Sequence, residues 1–339
     1  MDRRSAMRMA GAAAALGAFP VSPALAQAFS PIAGPRSRVI YVNDLSGDLD
    51  GFFATVHMLL SRSVDLRGIV GTGTGRPGET AEKSADFARE ILGLMALTGR
   101  VPVHTGAAGK MAAAKSAVAS PGTKAIIDEA MRTDTDLPLF VAVGGGLTEV
   151  ASALLIEPKI ADRLTLVWIG GDAFPSGGTG ETNFNIDPLA AQYLYNDTAL
   201  RIWQIPRAAY ATTVVSATEL QAFVAPHGAI GKWLYDKVVD APNRFRKVLN
   251  MGETWTLGDN PLVSLIALGD WGPSSYRPFR YERTGSNLHD EVIAPRLNPD
   301  GTFAPRSEGR KIRIYKSIDS RLMLNDFFAK MRVNFPDRA

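Results

Sequence analysis

Val39-Ile40-Tyr41-Val42-Asn43-Asp44-Leu45-Ser46-Gly47-Asp48-Leu49-Asp50-Gly51 is the stretch on which the reading of this chain turns. An apolar run rich in β-branched residues stops at a carboxylate. Two more carboxylates follow, and apolar residues then resume at helical spacing. A strand therefore delivers Asp44, Asp48 and Asp50 to one short loop ahead of a helix. Three acids so close repel one another unless positive charge sits among them, and a hard cation with oxygen ligands is the simplest source of it. The same residues also suit a solvated turn whose Asp side chains cap a helix starting near Asp50.

Working outward, strand-like runs recur at Val39–Val42, Leu66–Val70, Val101–His104, Leu137–Val143, Leu164–Ile169 and Leu200–Ile205. Helical spacing fills Phe52–Leu60, Thr80–Leu97, Leu147–Ile156 and Pro188–Tyr195, and Leu322–Met331 reads as a closing amphipathic helix. Strand and helix alternate, and several strands are apolar on both faces. This pattern predicts an α/β fold, doubly wound, with a mostly parallel sheet and helices on both faces. Ligands in such folds bind beyond the carboxyl ends of the strands. The Asp44–Asp50 loop, Gly144-Gly145-Gly146 and Gly170-Gly171-Asp172 all fall there. Pro273–Arg283 and Leu297–Arg306 read as loops.

The N-terminus reads as a leader. Arg3-Arg4 precedes a small apolar run from Ala10 to Phe19, and Ala24-Leu25-Ala26 offers small residues to a signal peptidase. Residues 1–26 are thus expected to be an export signal and 27–339 a single α/β domain. The paired arginines point to the twin-arginine route and a periplasmic or secreted protein. No apolar run is long enough for a membrane anchor. The chain has no Cys, which removes disulfides and thiolate chemistry. Of the formal net charge of +3, the leader carries two through Arg3, Arg4 and Arg8 against Asp2. The nearly neutral remainder argues against a nucleic-acid partner.

Several motifs are weak by themselves. Gly73-Thr74-Gly75-Arg76-Pro77-Gly78 has the outline of a dinucleotide fingerprint, but Pro77 interrupts it and no acid ends a well-placed following strand, so a tight turn is the simpler reading. Gly106-Ala107-Ala108-Gly109-Lys110-Met111 lacks the spacing of a phosphate loop. Asp48-Leu49-Asp50-Gly51 resembles the nucleophile motif of haloacid-dehalogenase-type phosphatases, although there the first Asp directly follows the strand. His57 reads as a helix residue in a packing or surface role. Trp255 reads as core or as a wall for a planar ligand.

Five stretches in order carry a stronger resemblance. Val39–Leu60 resembles the strand, Asp-x-Asp-Pro-Gly-x-Asp-Asp loop and helix of the inosine–uridine-preferring nucleoside hydrolase superfamily. Gly144-Gly145-Gly146-Leu147-Thr148-Glu149-Val150-Ala151 resembles its Gly-Pro-Leu-Thr-Asn-Leu-Ala, and Trp168-Ile169-Gly170-Gly171 its Met-Gly-Gly. Asn183-Phe184-Asn185, with Asp187-Pro188-Leu189-Ala190-Ala191, resembles Glu-Phe-Asn followed by Asp-Pro-x-Ala-Ala. Gly258-Asp259-Asn260-Pro261-Leu262 resembles His-Asp-x-Leu. The resemblance implies a Ca2+-dependent hydrolase of the N-glycosidic bond, acting on a small-molecule ribonucleoside or related N-riboside. It implies Asp44 as a calcium ligand that also takes a proton from the attacking water, Thr148 as a ligand through its carbonyl and Asp259 as the distant calcium carboxylate. Asp50 and Asn185 match ribose-binding residues. With Asp50 counted among the acids around the metal, the expected metal set is Asp44, Asp48, Asp50, Thr148 and Asp259.

The departures are as informative as the matches. Matching Asp44 to the signature's second Asp requires two added loop residues; a gapless match would put Asp44 at the first Asp and Ser46 at the second, and the first match is preferred because it keeps a carboxylate where the chemistry needs one. Gly51 replaces the second Asp of the family's adjacent pair, and Asp48 is expected to take over its role. Asn183 stands where the family has Glu, with Glu181 as a neighbouring substitute. Gly258 stands where some members place the His that protonates the leaving base. Two other functions stay open on sequence alone: a divalent-metal phosphatase centred on Asp48 and Asp50, and a periplasmic sugar- or nucleoside-binding protein without turnover. Association as a homo-oligomer is also left open.

Overall fold

A computed structural model describes residues 34–245, 252–269 and 287–336. The leader and the Pro273–Arg283 segment lie outside the described residues. In chain order the elements are β1 (Ser37–Asn43), α1 (Asp50–Leu59), β2 (Val64–Gly71), α2 (Ala81–Leu94), β3 (Val103–Thr105), α3 (Pro121–Ala130), β4 (Leu139–Gly144) and α4 (Thr148–Ile156). Then come β5 (Leu164–Ile169), α5 (Thr182–Ile186), α6 (Pro188–Asn196), β6 (Arg201–Ile205), α7 (Arg207–Tyr210), β7 (Val214–Ser216), α8 (Ala217–Phe223) and α9 (Gly228–Phe245). The chain closes with β8 (Thr254–Thr256), α10 (Asn260–Val263), β9 (His289–Ile293), β10 (Arg296–Leu297), β11 (Phe303–Ala304), β12 (Lys311–Tyr315) and α11 (Ser320–Asn334).

The main sheet has eight strands in the order β3-β2-β1-β4-β5-β6-β12-β9. All neighbours are parallel except β12 with β9, which forms an antiparallel edge. The interior position of β1 explains its composition. Val39 and Tyr41 enter the core on one face, Ile40 and Val42 the core on the other, and none is exposed beyond 1 %. Burial of each such aliphatic side chain is worth about 1.5–3 kcal/mol.

The strand order reverses at β1. The chain runs outward through β2 and β3, then returns to the opposite side of β1 with β4. Loops leaving the carboxyl ends of β1 and β4 therefore diverge, which opens a crevice between them. Asp44 donates its amide to the Gly144 carbonyl at 3.2 Å, so the acidic loop starts at that switch point.

The α1 helix is buried on every side from Gly51 to Met58. Phe52 packs against Phe87 of α2 and Trp233 of α9, and Phe53 against Phe327 of α11. The predicted strands and helices are present with ends moved by a few residues. The sheet, however, extends past the sixth predicted strand. β12 reads Lys-Ile-Arg-Ile-Tyr, an alternating pattern too short to stand out, and it becomes a strand because β6 offers it an open edge. Leu297–Arg306, read as a loop, contains part of the small hairpin β10–β11. Among the described residues no helix is long and apolar enough to cross a membrane.

Phe53 is fully buried between the sheet and α11. Phe53→Ala is expected to lower unfolding stability by about 3–5 kcal/mol. A shift in the urea midpoint equivalent to less than about 1 kcal/mol would contradict this packing.

Candidate active site

A cavity of about 130 Å³ lies at the switch point, lined by the aspartates 44, 48, 50 and 259 together with Thr74, Arg76, Glu181, Asn183 and Tyr210. Three carboxylates come from the loop after β1, and the fourth comes from the turn before α10. The neighbouring cavity, about 450 Å³, shares Thr74 and Arg76 and is walled further by Lys110, Thr148 and Asn185. The fold thus brings Asp44, Asp48, Asp50, Asp259, Glu181 and Asn183 together. It places Thr148 and Asn185 on the wall of the second cavity. Thr148 donates its hydroxyl to Asp187 at 2.7 Å, and Asn185 donates its amide to the Thr179 carbonyl at 2.6 Å.

Close approach dictates the glycines here. Asn43, the last residue of β1, donates its amide to Asp259 Oδ2 at 2.6 Å and to the Tyr41 hydroxyl at 2.8 Å. A Cβ on Gly144 would come within 2.4 Å of both Asp259 Oδ2 and Asn43 Nδ2, and one on Gly51 within 2.1 Å of Asn43 Oδ1. The space that the family's second acid needs is therefore taken by the Asn43 amide. At Gly258 a Cβ would stand 2.9 Å from Asp50 Oδ2 and 3.1 Å from the Tyr210 ring. Gly75 and Gly78 adopt positive φ in the loop after β2, which makes the glycine-rich segment a tight turn.

Glu181 is held by four donors. Its oxygens accept from the amides of Gly171, Asn183 and Phe184 at 2.7–3.0 Å and from the Tyr210 hydroxyl at 3.0 Å. A carboxylate has about four acceptor positions, so Glu181 frames the wall and aims Tyr210. Asn183 donates to the Ile169 carbonyl at 2.9 Å. Asp48 accepts from the Leu49 amide at 2.6 Å and is exposed at the cavity mouth.

The charges are mutually unfavourable. Burial first, then Asp259 and Asp48, push the Asp44 carboxyl well above its usual range. Burial, with Asp259, Asp48 and Asp44, does the same to Asp50. Burial lifts Asp259 to about 7, against the pull of the Asn43 amide and aided by Asp48 and Glu181. In kind this donor set fits a hard cation: it is all oxygen and over-charged, and Asn43 Oδ1 is a buried acceptor with no partner. Among the described residues, no three His, Asp or Glu side chains are gathered closely enough to hold one ion as they stand.

Sequence reasoning missed Asn43, Arg76 and Tyr210 as site residues. Asn43 had a signal, being the last residue of the strand that ends at Asp44. Arg76 and Tyr210 reach the cavity from turns after β2 and β6, and nothing local in their sequence marks them.

The inosine-uridine preferring nucleoside hydrolase family matches residues 39–270, more than half of the chain. No curated protein matches. Among solved structures, a purine-preferring ribonucleoside hydrolase from Gardnerella vaginalis superposes with a TM-score of 0.68 at 17% identity, covering 88% of this chain and 99% of its own. A plant nucleoside hydrolase reaches 0.64 at 15% identity, covering 88% and 99%. An inosine-uridine preferring nucleoside hydrolase from Bacillus anthracis reaches 0.58 at 15% identity, covering 87% and 99%. The chain belongs to the inosine-uridine preferring nucleoside hydrolase family and is an N-ribosyl hydrolase with that fold. The family is metal-dependent.

Asp44, Asp50 and Asp259 bind protons more tightly folded than unfolded, so their contribution to stability falls as pH rises from the ordinary carboxylate range near 3.8 through about 7. A bound cation relieves that loss and competes with the protons. Calcium is therefore expected to raise the melting temperature of chelator-treated protein more at about pH 8 than at about pH 5. An equal or smaller rise at the higher pH would contradict the electrostatic picture.

Proposed function

We propose that the chain is an exported, calcium-dependent hydrolase of ribonucleosides or related N-ribosides, releasing ribose and the free leaving group. The observation that supports this reading is the cavity itself. Four aspartates from two distant parts of the chain line it, at the point where an open α/β sheet binds its ligands. Asp44, Asp50 and Asp259, with Asp48 at the mouth in place of the acid lost at Gly51, would hold the cation. Thr148 would join through its carbonyl. A bound calcium supplies a water that loses its proton more easily and fixes the ribose hydroxyls.

The chain's own residues do the rest. Asp44 takes the proton of the attacking water as the general base. Asp50, with Asn183 on the facing wall, orients the ribose. Asn185 lies at the neighbouring cavity, and Glu181 acts through the wall it frames. The buried carboxylates face the sugar as it becomes cationic, where their negative charge stabilises it most. On the leaving-group side no His stands at Gly258. Arg76 is a cation lining the cavity, and it stabilises negative charge without giving up a proton.

A phosphatase centred on Asp48 and Asp50 fits less well. Its nucleophile would have to follow the strand directly, whereas β1 stops at Asn43 and Asp48 is exposed. Product analysis separates the readings: ribose and free base for the hydrolase, inorganic phosphate for the phosphatase, neither for a binding protein. Asp44→Asn is expected to cut kcat/KM at least about 100-fold with the fold intact.

General-acid help to a poor leaving group is worth about 10²–10⁴-fold. Without the His, p-nitrophenyl riboside is expected to be cleaved far faster than inosine or uridine, as kcat/KM. Equal rates would mean that another group delivers the proton. The leader predicts a mature N-terminus at Gln27 in protein recovered from the periplasm or medium. A chain retained in the cytoplasm with Met1 intact would refute export.

A further inference from the structure

His57 lies two turns beyond Asp50 on α1, and its imidazole is fully buried. Both ring nitrogens have partners. Nε2 stands 2.8 Å from Asp326 Oδ2 of α11, and Nδ1 stands 3.2 Å from Asn260 Nδ2, at the start of α10. A carboxylate only accepts and an amide NH2 only donates, so Nε2 carries the hydrogen and Nδ1 is bare. Lys330 of α11 extends the chain, pairing with Asp326 and donating to Ser61 Oγ at 2.9 Å. Ser61 in turn donates to the His57 carbonyl at 2.8 Å.

Asn260 directly follows Asp259. Asp50 opens α1 and Asp259 precedes α10, and neither helix start has a side-chain cap. The four residues of α10 run straight on into a π-helical turn at Ser264–Leu268, and apolar side chains of both are buried in the core. Asp50 and Asp259 repel each other. The His57–Asn260 bond crosses from α1 to α10 below that repelling pair and ties the two segments together. Burying such a polar chain is weak evidence for stability, since apolar packing of similar volume is often as good, and fixed register is its better-attested use. The anchor comes from α11, which lies beyond the residues matched by the family.

We propose that His57 is a positioning residue whose tautomer, set by Asp326, holds Asn260 and through it keeps Asp259 in place opposite Asp50. This rests on the cavity being the hydrolytic centre. Asp326 does not line the cavity. Asp326→Asn would keep an oxygen where Lys330 and the Nε2 hydrogen both meet Oδ2. Asp326→Leu removes that acceptor and leaves the Nε2 hydrogen buried without a partner, which frees the ring to change tautomer or turn away from Asn260.

The test combines three readouts on the full-length mature chain. In 15N NMR, His57 is expected as the neutral Nε2–H form in wild type and to lose it in Asp326→Leu. Calcium affinity by calorimetry is expected to fall about tenfold or more, as for other groups that orient ligands, and kcat/KM on the activated riboside is expected to fall with it. Lys330→Met removes a neighbouring charge from the same helix but leaves Asp326 as acceptor. It is expected to keep wild-type calcium affinity and kcat/KM even if it melts earlier. Asn260→Ala cuts the chain at its other end, is expected to match Asp326→Leu, and serves if that variant does not fold. Variants that melt earlier with unchanged calcium affinity would overturn the proposal and reduce His57 to a core residue. A wild type that turns over no riboside, alongside an Asp326→Leu variant that still loses calcium affinity, would sink the nucleoside reading and leave the positioning role standing.

Discussion

The bond from Asn43 Nδ2 to Asp259 Oδ2, 2.6 Å long and spanning 216 residues of sequence, is the contact on which the site depends. It joins the carboxyl end of the central strand to the turn that delivers the distant carboxylate. A hydrogen bond to an ionised acceptor is about twice as strong as a neutral one. The neighbours are shaped to admit it. Gly144 and Gly51 lack the Cβ atoms that would strike the pair, and the second amide hydrogen of Asn43 is absorbed by Tyr41. Asn43 thus offsets part of the repulsion that Asp259 meets from the other carboxylates, which burial makes severe.

The frame of the site was legible because it is written in local pattern. A β-branched run, a break at an acid and a return to helical spacing are enough to place Asp44, Asp48 and Asp50 between β1 and α1. Asp259 was legible only through the order of motifs, since nothing near it reveals which strand end it visits. Asn43, Arg76 and Tyr210 escaped because their parts depend on side chains meeting across the crevice. His57 escaped for the same reason: a histidine inside an apolar helix reads as filler until Asp326 and Asn260, each more than 200 residues away, are seen on its two nitrogens. The strand β12 and the edge strand β9 beyond it were missed because short alternating segments become strands only where a neighbouring strand receives them.

The two departures at Gly51 and Gly258 share one physical cause. At both positions the family carries a side chain, and at both this fold brings another group into the same space: the Asn43 amide at Gly51, Asp50 and the Tyr210 ring at Gly258. In the match that sets Asp44 at the signature's second Asp, the acid loop is two residues longer than the signature, and Asp48 lies in it, exposed at the cavity mouth. On that match the carboxylate lost at Gly51, the one gained at Asp48 and the absent His together amount to a rearrangement of the site.

That rearrangement shifts the chemical burden across the glycosidic bond. On the sugar side the carboxylates remain dense, buried and held in place, so the means of stabilising a cationic ribosyl centre are intact. The cavity's other polar groups include Arg76, a guanidinium that stays charged at any working pH, and Tyr210, whose hydroxyl is committed to Glu181. Burial and the Glu181 charge raise that hydroxyl far above its usual range, so it does not serve as a neutral-pH acid. A centre built this way lowers the barrier by pulling on the sugar more than by protonating what departs. Its selectivity then lies in how well a leaving group carries its own charge, with Arg76 as the polar contact that can reward it.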